Sequence, residues 1–190
     1  MKKRHPKTRR PARSKRSAAG ETSNTRDEII DWLKDAYGLE RGLESSLEKQ
    51  SAAEDVSPGI RERVSAHLEE TRRHAEAVRA ALQSLGADIS SLKTGIGRVA
   101  QAAKGMGSKF ARDERIKDLL DAYSMEHFEI ACYTALEAAA QREGLVDVAE
   151  TCRRIIPDEK RMAEALLQAL PDEVTSYLFE TEIEERESEA

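Results

Sequence analysis

Aromatic residues, cysteine and long apolar runs are all scarce in this chain of 190 residues. Aromatics make up only 4% of it, and the low share of aromatic and β-branched residues disfavours a sheet. Cys132 and Cys152 lie in predicted helices without zinc-finger or redox-motif spacing, so we interpret both as reduced core residues. No apolar run approaches the ~18 residues of a membrane span. These absences favour one all-α domain, expected to be cytoplasmic and not inserted in a membrane.

Charge is spread unevenly along the chain, whose formal net charge is -5. Residues 1–24 carry nine Lys and Arg against one acid, and residues 180–190 carry six Glu against one Arg. The basic head contains Pro6 and Pro11 and has no apolar periodicity, so it cannot offset the entropy of ordering. We predict a disordered basic tail over 1–24, a folded domain over 25–172 and an acidic tail over 173–190. The basic tail is either solvated or in contact with nucleic acid or another acidic surface.

Apolar residues at helical spacing predict five helical segments between the two tails. The first spans about 27–50, and the second begins near Pro58 and ends before Gly86. The third, 88–110, contains four glycines and is expected to be a short or broken crossover helix. The fourth spans about 113–142 and the last about 146–170, with Pro171 just beyond. Two helices, a long connection and two more helices form the connectivity of a ferritin-like bundle.

A glutamate interrupts or borders the apolar stripe of each of the four long predicted helices. These residues are Glu40, Glu70, Glu126 and Glu159. A carboxylate inside a bundle core is unfavourable unless it is paired, protonated or bound to a cation. A single glutamate at such a place is more often a boundary residue whose head reaches water. Four of them on four helices indicate a shared partner, and a pair of metal ions fits best.

Four segments of the chain resemble the YciE/YciF group of ferritin-like bacterial stress proteins. They are DAYGLERGL (35–43), HLEETRRH (67–74), SMEHFEIACYTAL (124–136) and PDEKRMAEAL (157–166). The resemblance covers about 29–169 and implies an all-α, ferritin-like four-helix bundle with a long crossover carrying a short fifth helix. It also implies a homodimer, association with stress, and a rubrerythrin-like centre of two metal ions. Iron is the expected metal, with manganese and zinc as alternatives.

The resemblance implies a ligand set for the two metal ions. Glu70 and Glu126 would be the bridging carboxylates, and Glu129 matches the additional glutamate of rubrerythrins. His74 is the expected imidazole, although it follows Glu70 by four residues rather than three. We interpret His67 and His127 as structural hydrogen-bonding residues. The full predicted set is Glu40, Glu70, His74, Glu126, Glu129 and Glu159.

The predicted function is a ferritin-like di-metal protein of stress response that reacts with peroxide or oxygen. Whether it turns over as an enzyme is left open. The alternative is a non-enzymatic scaffold bundle that binds partners or membranes of a stress compartment, with a vestigial site or one occupied by zinc. A third interpretation is an iron store whose basic arm binds DNA, which would require a hollow multi-subunit cage.

Overall fold

All regular structure is helical in the computed structural model, which describes residues 18–52, 58–88 and 114–188. The helices are α1 (Ala18–Ala52), α2 (Pro58–Ser84), α3 (Glu114–Arg142) and α4 (Val146–Ser188). The predicted all-α bundle is confirmed. Nearly all of the predicted crossover helix, 88–110, lies outside the described residues. Within the described ranges, no helix has the length and apolarity needed to cross a bilayer.

Glycines end α2 and precede α4. Gly86 has a φ of 74° and Gly144 a φ of 71°, a left-handed conformation that favours glycine. The N–H of Ala87 donates to the carbonyl of Leu82 at 3.1 Å, which closes a Schellman motif at the end of α2. The same motif follows α3, where Leu145 also packs against the apolar core. The short turn after α3 therefore folds α4 back beside it as an antiparallel hairpin.

Two apolar clusters occupy opposite halves of the bundle and define the helix directions. The first joins the early part of α1 to the late parts of α2 and α3 and to the start of α4, through Ile29, Val78, Leu136 and Val148. The second joins the later part of α1 to the early parts of α2 and α3 and to a later stretch of α4, through Leu47, Val64, Leu119 and Leu166. Accordingly α1 and α4 run in one direction, and α2 and α3 in the other.

Each helix packs against two antiparallel neighbours. The contacting pairs are α1 with α2, α3 with α4, α2 with α4, and α1 with α3. Since α2 and α3 run in the same direction, the end of α2 and the start of α3 lie at opposite ends of the bundle. One long crossover between two hairpins agrees with the connectivity expected from the sequence.

The first and last helices are longer than predicted. The predicted end of the last helix at Leu170 is wrong, because α4 continues through Pro157 and Pro171 to Ser188. A proline removes one backbone donor from the helix, but both prolines are exposed, so water can replace the missing partner. At the other end, α1 begins at Ala18, inside the segment 1–24 that was predicted to be disordered. Residues 1–17 lie outside the described residues.

Ion pairs tie the extension of α4 to the start of α3. The Arg115 guanidinium lies 3.9 Å from the buried Glu173 carboxylate and 3.3 Å from that of Glu180. It also lies 6.0 Å from the centre of the Tyr177 ring, within range of a cation–π contact. These contacts stabilise the part of α4 that continues past the end of its apolar stripe.

Candidate metal centre

A layer of charged side chains separates the two apolar clusters of the bundle. α2 contributes two histidines, α3 two glutamates, and α1 and α4 one glutamate each. All six are buried, and three of the carboxylates are only 1% exposed. Complete burial of a carboxylate is rare unless it has a partner. The six residues are Glu40, His67, His74, Glu126, Glu129 and Glu159.

The first potential metal position lies among side chains of α1, α2 and α4. Glu40, His74 and Glu159 each offer a ligand atom, and these atoms all lie within 4.8 Å of one another. His74 Nδ1 is 2.9 Å from Glu159 Oε1 and 3.8 Å from Glu40 Oε1. The Tyr133 hydroxyl donates a hydrogen bond to Glu40 Oε1 and so holds that carboxylate in place. We call these three ligands triad 1.

The second potential position lies among side chains of α2, α3 and α4. His67, Glu126 and Glu159 satisfy the same distance criterion, and we call them triad 2. His67 Nε2 is 3.2 Å from Glu126 Oε1 and 3.7 Å from Glu159 Oε2. Glu159 is therefore shared, with Oε1 facing the histidine of triad 1 and Oε2 facing the histidine of triad 2. A carboxylate in this position can bridge two cations.

Ligand spacing in both triads fits a metal ion. Nitrogen and oxygen ligands bind a transition metal at about 2.1 Å, so two ligands lie about 3.0 Å apart at a right angle and about 4.2 Å apart when opposite. Three of the four nitrogen-to-oxygen separations, 3.2, 3.7 and 3.8 Å, lie inside that interval, and the fourth, 2.9 Å, lies just below it. Buried His and Glu groups in this arrangement can hold a metal ion in each triad.

Unpaired polar atoms point to the same conclusion. Six buried carboxylate oxygens of the layer make no hydrogen bond: Glu40 Oε2, Glu126 Oε2, both of Glu129 and both of Glu159. Each unsatisfied buried polar group costs about 1–3 kcal/mol. The four glutamates carry four negative charges when ionised, and two divalent cations carry four positive charges. Two such ions would neutralise the layer and supply the missing partners.

Burial and mutual repulsion shift the protonation of the layer. Burial, and then the charge of Glu159, raises the pKa of Glu40 to about 8. Burial is also the main cause that raises the pKa of Glu126 to about 7, and it raises the pKa of Glu129 well above its usual value. Without a metal ion, the layer therefore holds protons near neutral pH that a cation would displace.

The two buried histidines have raised pKa values despite their burial. Burial alone lowers the pKa of an imidazole, because the charged form is desolvated. The hydrogen bond and the charge of Glu126 outweigh that effect and raise the pKa of His67 to about 9. For His74, the negative charge of Glu159, whose Oε1 lies 2.9 Å from Nδ1, outweighs burial, and the pKa also rises to about 9. Without metal, both rings serve as cations among the carboxylates.

Comparison with known proteins identifies the family. The model of the family described as "Domain of unknown function (DUF892)" matches residues 24–179. The chain belongs to the DUF892 family. A crystal structure of a protein from Xanthomonas campestris pv. campestris shares 30% identity at a TM-score of 0.70, covering 84% of this chain and 99% of that one.

The E. coli stress protein YciF shares the fold of this DUF892 chain at 22% identity and a TM-score of 0.66, over 80% of this chain and 97% of that one. YcfI of Rhodopseudomonas palustris shares the fold at 23% identity and a TM-score of 0.59, over 75% of this chain and 92% of that one. The resemblance to the YciE/YciF group is therefore confirmed. At these two identities the likeness shows the fold alone.

Most of the predicted ligands of this DUF892 protein meet in the charged layer. Glu40, His74, Glu126 and Glu159 lie in the two triads. Glu129 is buried beside them, on the same face of α3 as Glu126 and one turn away. Its role as a ligand stays a prediction.

Glu70 occupies a different place from the predicted bridge. Its carboxylate is half-buried at the margin of the layer and belongs to neither triad. The Nδ1–H of His67 points to it over 3.4 Å. Its role as a metal ligand likewise stays a prediction.

His67 is the residue of the layer that the sequence interpretation missed. The structural hydrogen bond that was assigned to it is present, between Nδ1 and Glu70, and in addition its Nε2 faces the carboxylates of triad 2. The signal was its spacing from His74, because seven residues make almost two full turns and place both rings on one face of α2. His127 is exposed, and its ring packs edge-on against Tyr123 with centroids 4.6 Å apart.

Proposed function

We propose that this chain is a ferritin-like di-metal carboxylate protein that holds two iron ions and reacts with peroxide or oxygen in a stress response. The observation that carries the proposal is Glu159, which is shared by two buried triads whose ligand spacing fits a cation. The bundle connectivity and the naming of YciF as a stress protein support it. Manganese or zinc would fit the same ligands, and the metal is decided by experiment.

The triads and the residues around them have separate tasks in this proposal. Every triad supplies three protein ligands, so a six-coordinate ion would keep open positions for a small oxidant. Iron held mainly by carboxylates supplies a redox centre that such an oxidant can oxidise. Tyr133 orients Glu40 through its hydroxyl, and the apolar clusters on both sides keep bulk water away from the layer.

The shared position of Glu159 gives the proposal a stoichiometric test. The chain is reconstituted with ferrous iron under nitrogen, and iron per chain is measured by elemental analysis. We expect two ions in the wild type, one in Glu40→Gln, one in Glu126→Gln and fewer than one in Glu159→Gln. Glu150→Gln, which changes an exposed carboxylate of α4, should retain both ions.

Thermal melts of the same variants separate a lost ligand from a lost fold. A wild type without bound iron, manganese or zinc would refute the metal centre and favour the partner-binding alternative. For the oxidant step, peroxide is added to the iron-loaded protein and the ferric absorbance is followed. Failure of peroxide and oxygen to oxidise the bound iron would refute that step and leave the metal site standing.

The homodimer, the cytoplasmic location and the contact of the basic tail with an acidic surface also remain proposals. Light scattering gives the mass in solution and distinguishes a dimer from the cage that the iron-store alternative requires. Salt-dependent retention on DNA, compared with and without residues 1–17, tests the tail.

A further inference from the structure

A chain of polar contacts links the two buried histidines at the outer edge of the layer. His67 Nδ1 lies 3.4 Å from Glu70 Oε2, and His74 Nε2 lies 3.0 Å from Asp158 Oδ2. The other oxygens of both carboxylates turn towards Arg161. Its Nη2 lies 3.1 Å from Glu70 Oε1 and 2.5 Å from Asp158 Oδ1. One guanidinium therefore connects both histidines through two carboxylates.

The contacts determine which nitrogen of each ring faces the metal positions. His67 uses Nδ1 for the carboxylate and turns Nε2 towards triad 2. His74 uses Nε2 for the carboxylate and turns Nδ1 towards triad 1. The two rings thus present opposite nitrogens. A carboxylate on the remote nitrogen of a metal-binding histidine fixes ring orientation and raises its basicity as a ligand.

We propose that Arg161, Glu70 and Asp158 form a clasp that orients both histidines, and that Glu70 is a positioning residue rather than a bridging ligand. The inference rests on the proposed metal centre and adds to it the part that sets its affinity. Glu70 directs Oε1 to the guanidinium and Oε2 to His67 Nδ1, and the residue belongs to neither triad. A guanidinium suits this task because its planar donors can hold two carboxylates at once, which an ammonium does less well.

The position of Arg161 makes the clasp testable without disturbing the core. Its side chain is 62% exposed and spans from α4 to α2, so its removal leaves no internal cavity. Arg73 is a matched control, since it is 65% exposed and lies 3.9 Å from the same oxygen of Glu70, but the structure gives it no contact with Asp158. Arg161→Met, Arg161→Lys, Glu70→Gln and Arg73→Met are compared with the wild type.

Cobalt(II) is the probe for metal binding, with stoichiometry from elemental analysis and affinity from chelator competition. We expect Arg161→Met and Glu70→Gln to keep two ions per chain and to bind them about 10–100-fold more weakly. The cobalt affinity of Arg161→Lys should lie between those of Arg161→Met and the wild type. The affinity of Arg73→Met should stay within about twofold of the wild-type value. A loss of one ion in Glu70→Gln, as in Glu126→Gln, would overturn the positioning role and restore Glu70 as a ligand.

A second measurement needs no metal. In the metal-free protein, ¹⁵N-edited NMR should show the ring N–H protons of His67 Nδ1 and His74 Nε2 protected from exchange, and Arg161→Met should lose that protection. If the wild type takes up no cobalt, the metal centre fails, and this spectrum still judges the clasp. If the wild type binds cobalt while Arg161→Met matches Arg73→Met in both affinity and spectrum, the clasp alone is refuted.

Discussion

Replacing Glu129 with methionine should stabilise the metal-free protein. The Glu129 side chain is 1% exposed, and neither of its oxygens has a hydrogen-bond partner. Burial, followed by the charges of Glu40, Glu159 and Glu126, raises its pKa well above the usual value, so the metal-free protein holds it protonated. Methionine has a similar length and no polar atom to leave unsatisfied.

The size of the effect follows from the unpaired oxygens. An unsatisfied buried polar group costs about 1–3 kcal/mol, so Glu129→Met should gain about that much free energy of unfolding. For a chain of this size, each kcal/mol corresponds to a rise in Tm of roughly 2–4 °C. The exposed Glu150 is the control, and Glu150→Met should change the free energy of unfolding by less than about 0.5 kcal/mol.

Urea denaturation with chelator present measures the free energy of unfolding of the metal-free variants. The same titration with ferrous iron under nitrogen measures how much a bound metal ion adds to it. A metal ion that binds the folded wild type would stabilise it by an amount that grows with its affinity. That increment should be smaller in Glu129→Met, because the layer loses one of its four charges. A metal-free Glu129→Met less stable than the wild type would refute the reasoning, since it would mean that the carboxyl group is satisfied in the folded protein.

Two further predictions concern the metal-free layer. Tyr133→Phe removes the hydroxyl that donates to Glu40, so it should lower the free energy of unfolding by about 1–2 kcal/mol, and an unchanged urea midpoint would contradict this contact. Stability should also fall as pH rises from about 5 to about 9, because the folded pKa values of Glu40 (about 8) and of His74 (about 9) lie above their usual values of 4.5 and 6.5. The stability that these two groups contribute is complete below the usual pKa and is lost as pH rises through the folded-state pKa. A Tm, measured with chelator, that stays level or rises between about pH 5 and pH 9 would exclude this contribution. Metal affinity should increase over the same pH range.

Sequence periodicity predicted the inward glutamates but not the surroundings of the site. Glu40 and Glu159 stand inside apolar stripes. Because a helix has 3.6 residues per turn, the residues of such a stripe lie on one face of the helix, which points into the core. Glu70 borders its stripe, and one residue of register turns a side chain by about 100°, so the pattern could not distinguish a bridge from a margin position. Its contact with Arg161, 91 residues further along the chain, depends on how α2 meets α4.

The end of the last helix shows a similar limit. The last helix was predicted to end at about residue 170, just before Pro171, and a proline lacks the backbone donor of a regular helix. The pattern carries no information on whether that donor would have faced water or protein, and here the proline is exposed. Arg115, which forms ion pairs with the continuing helix, lies in α3. The two partners are far apart in sequence, so local helix propensity does not predict their contact.

The arrangement of the four helices as two hairpins bears on how the molecule opens. Packing within each hairpin, α1 with α2 and α3 with α4, is more extensive than packing between them. Each triad draws ligands from both hairpins, so an ion bound there is a cross-link across the weaker seam. Native-state hydrogen exchange should therefore find two separately opening units in the metal-free protein and a single cooperative unit once metal is bound. Metal occupancy would thereby set the lifetime of the folded chain in the cell, since proteases act on opened states.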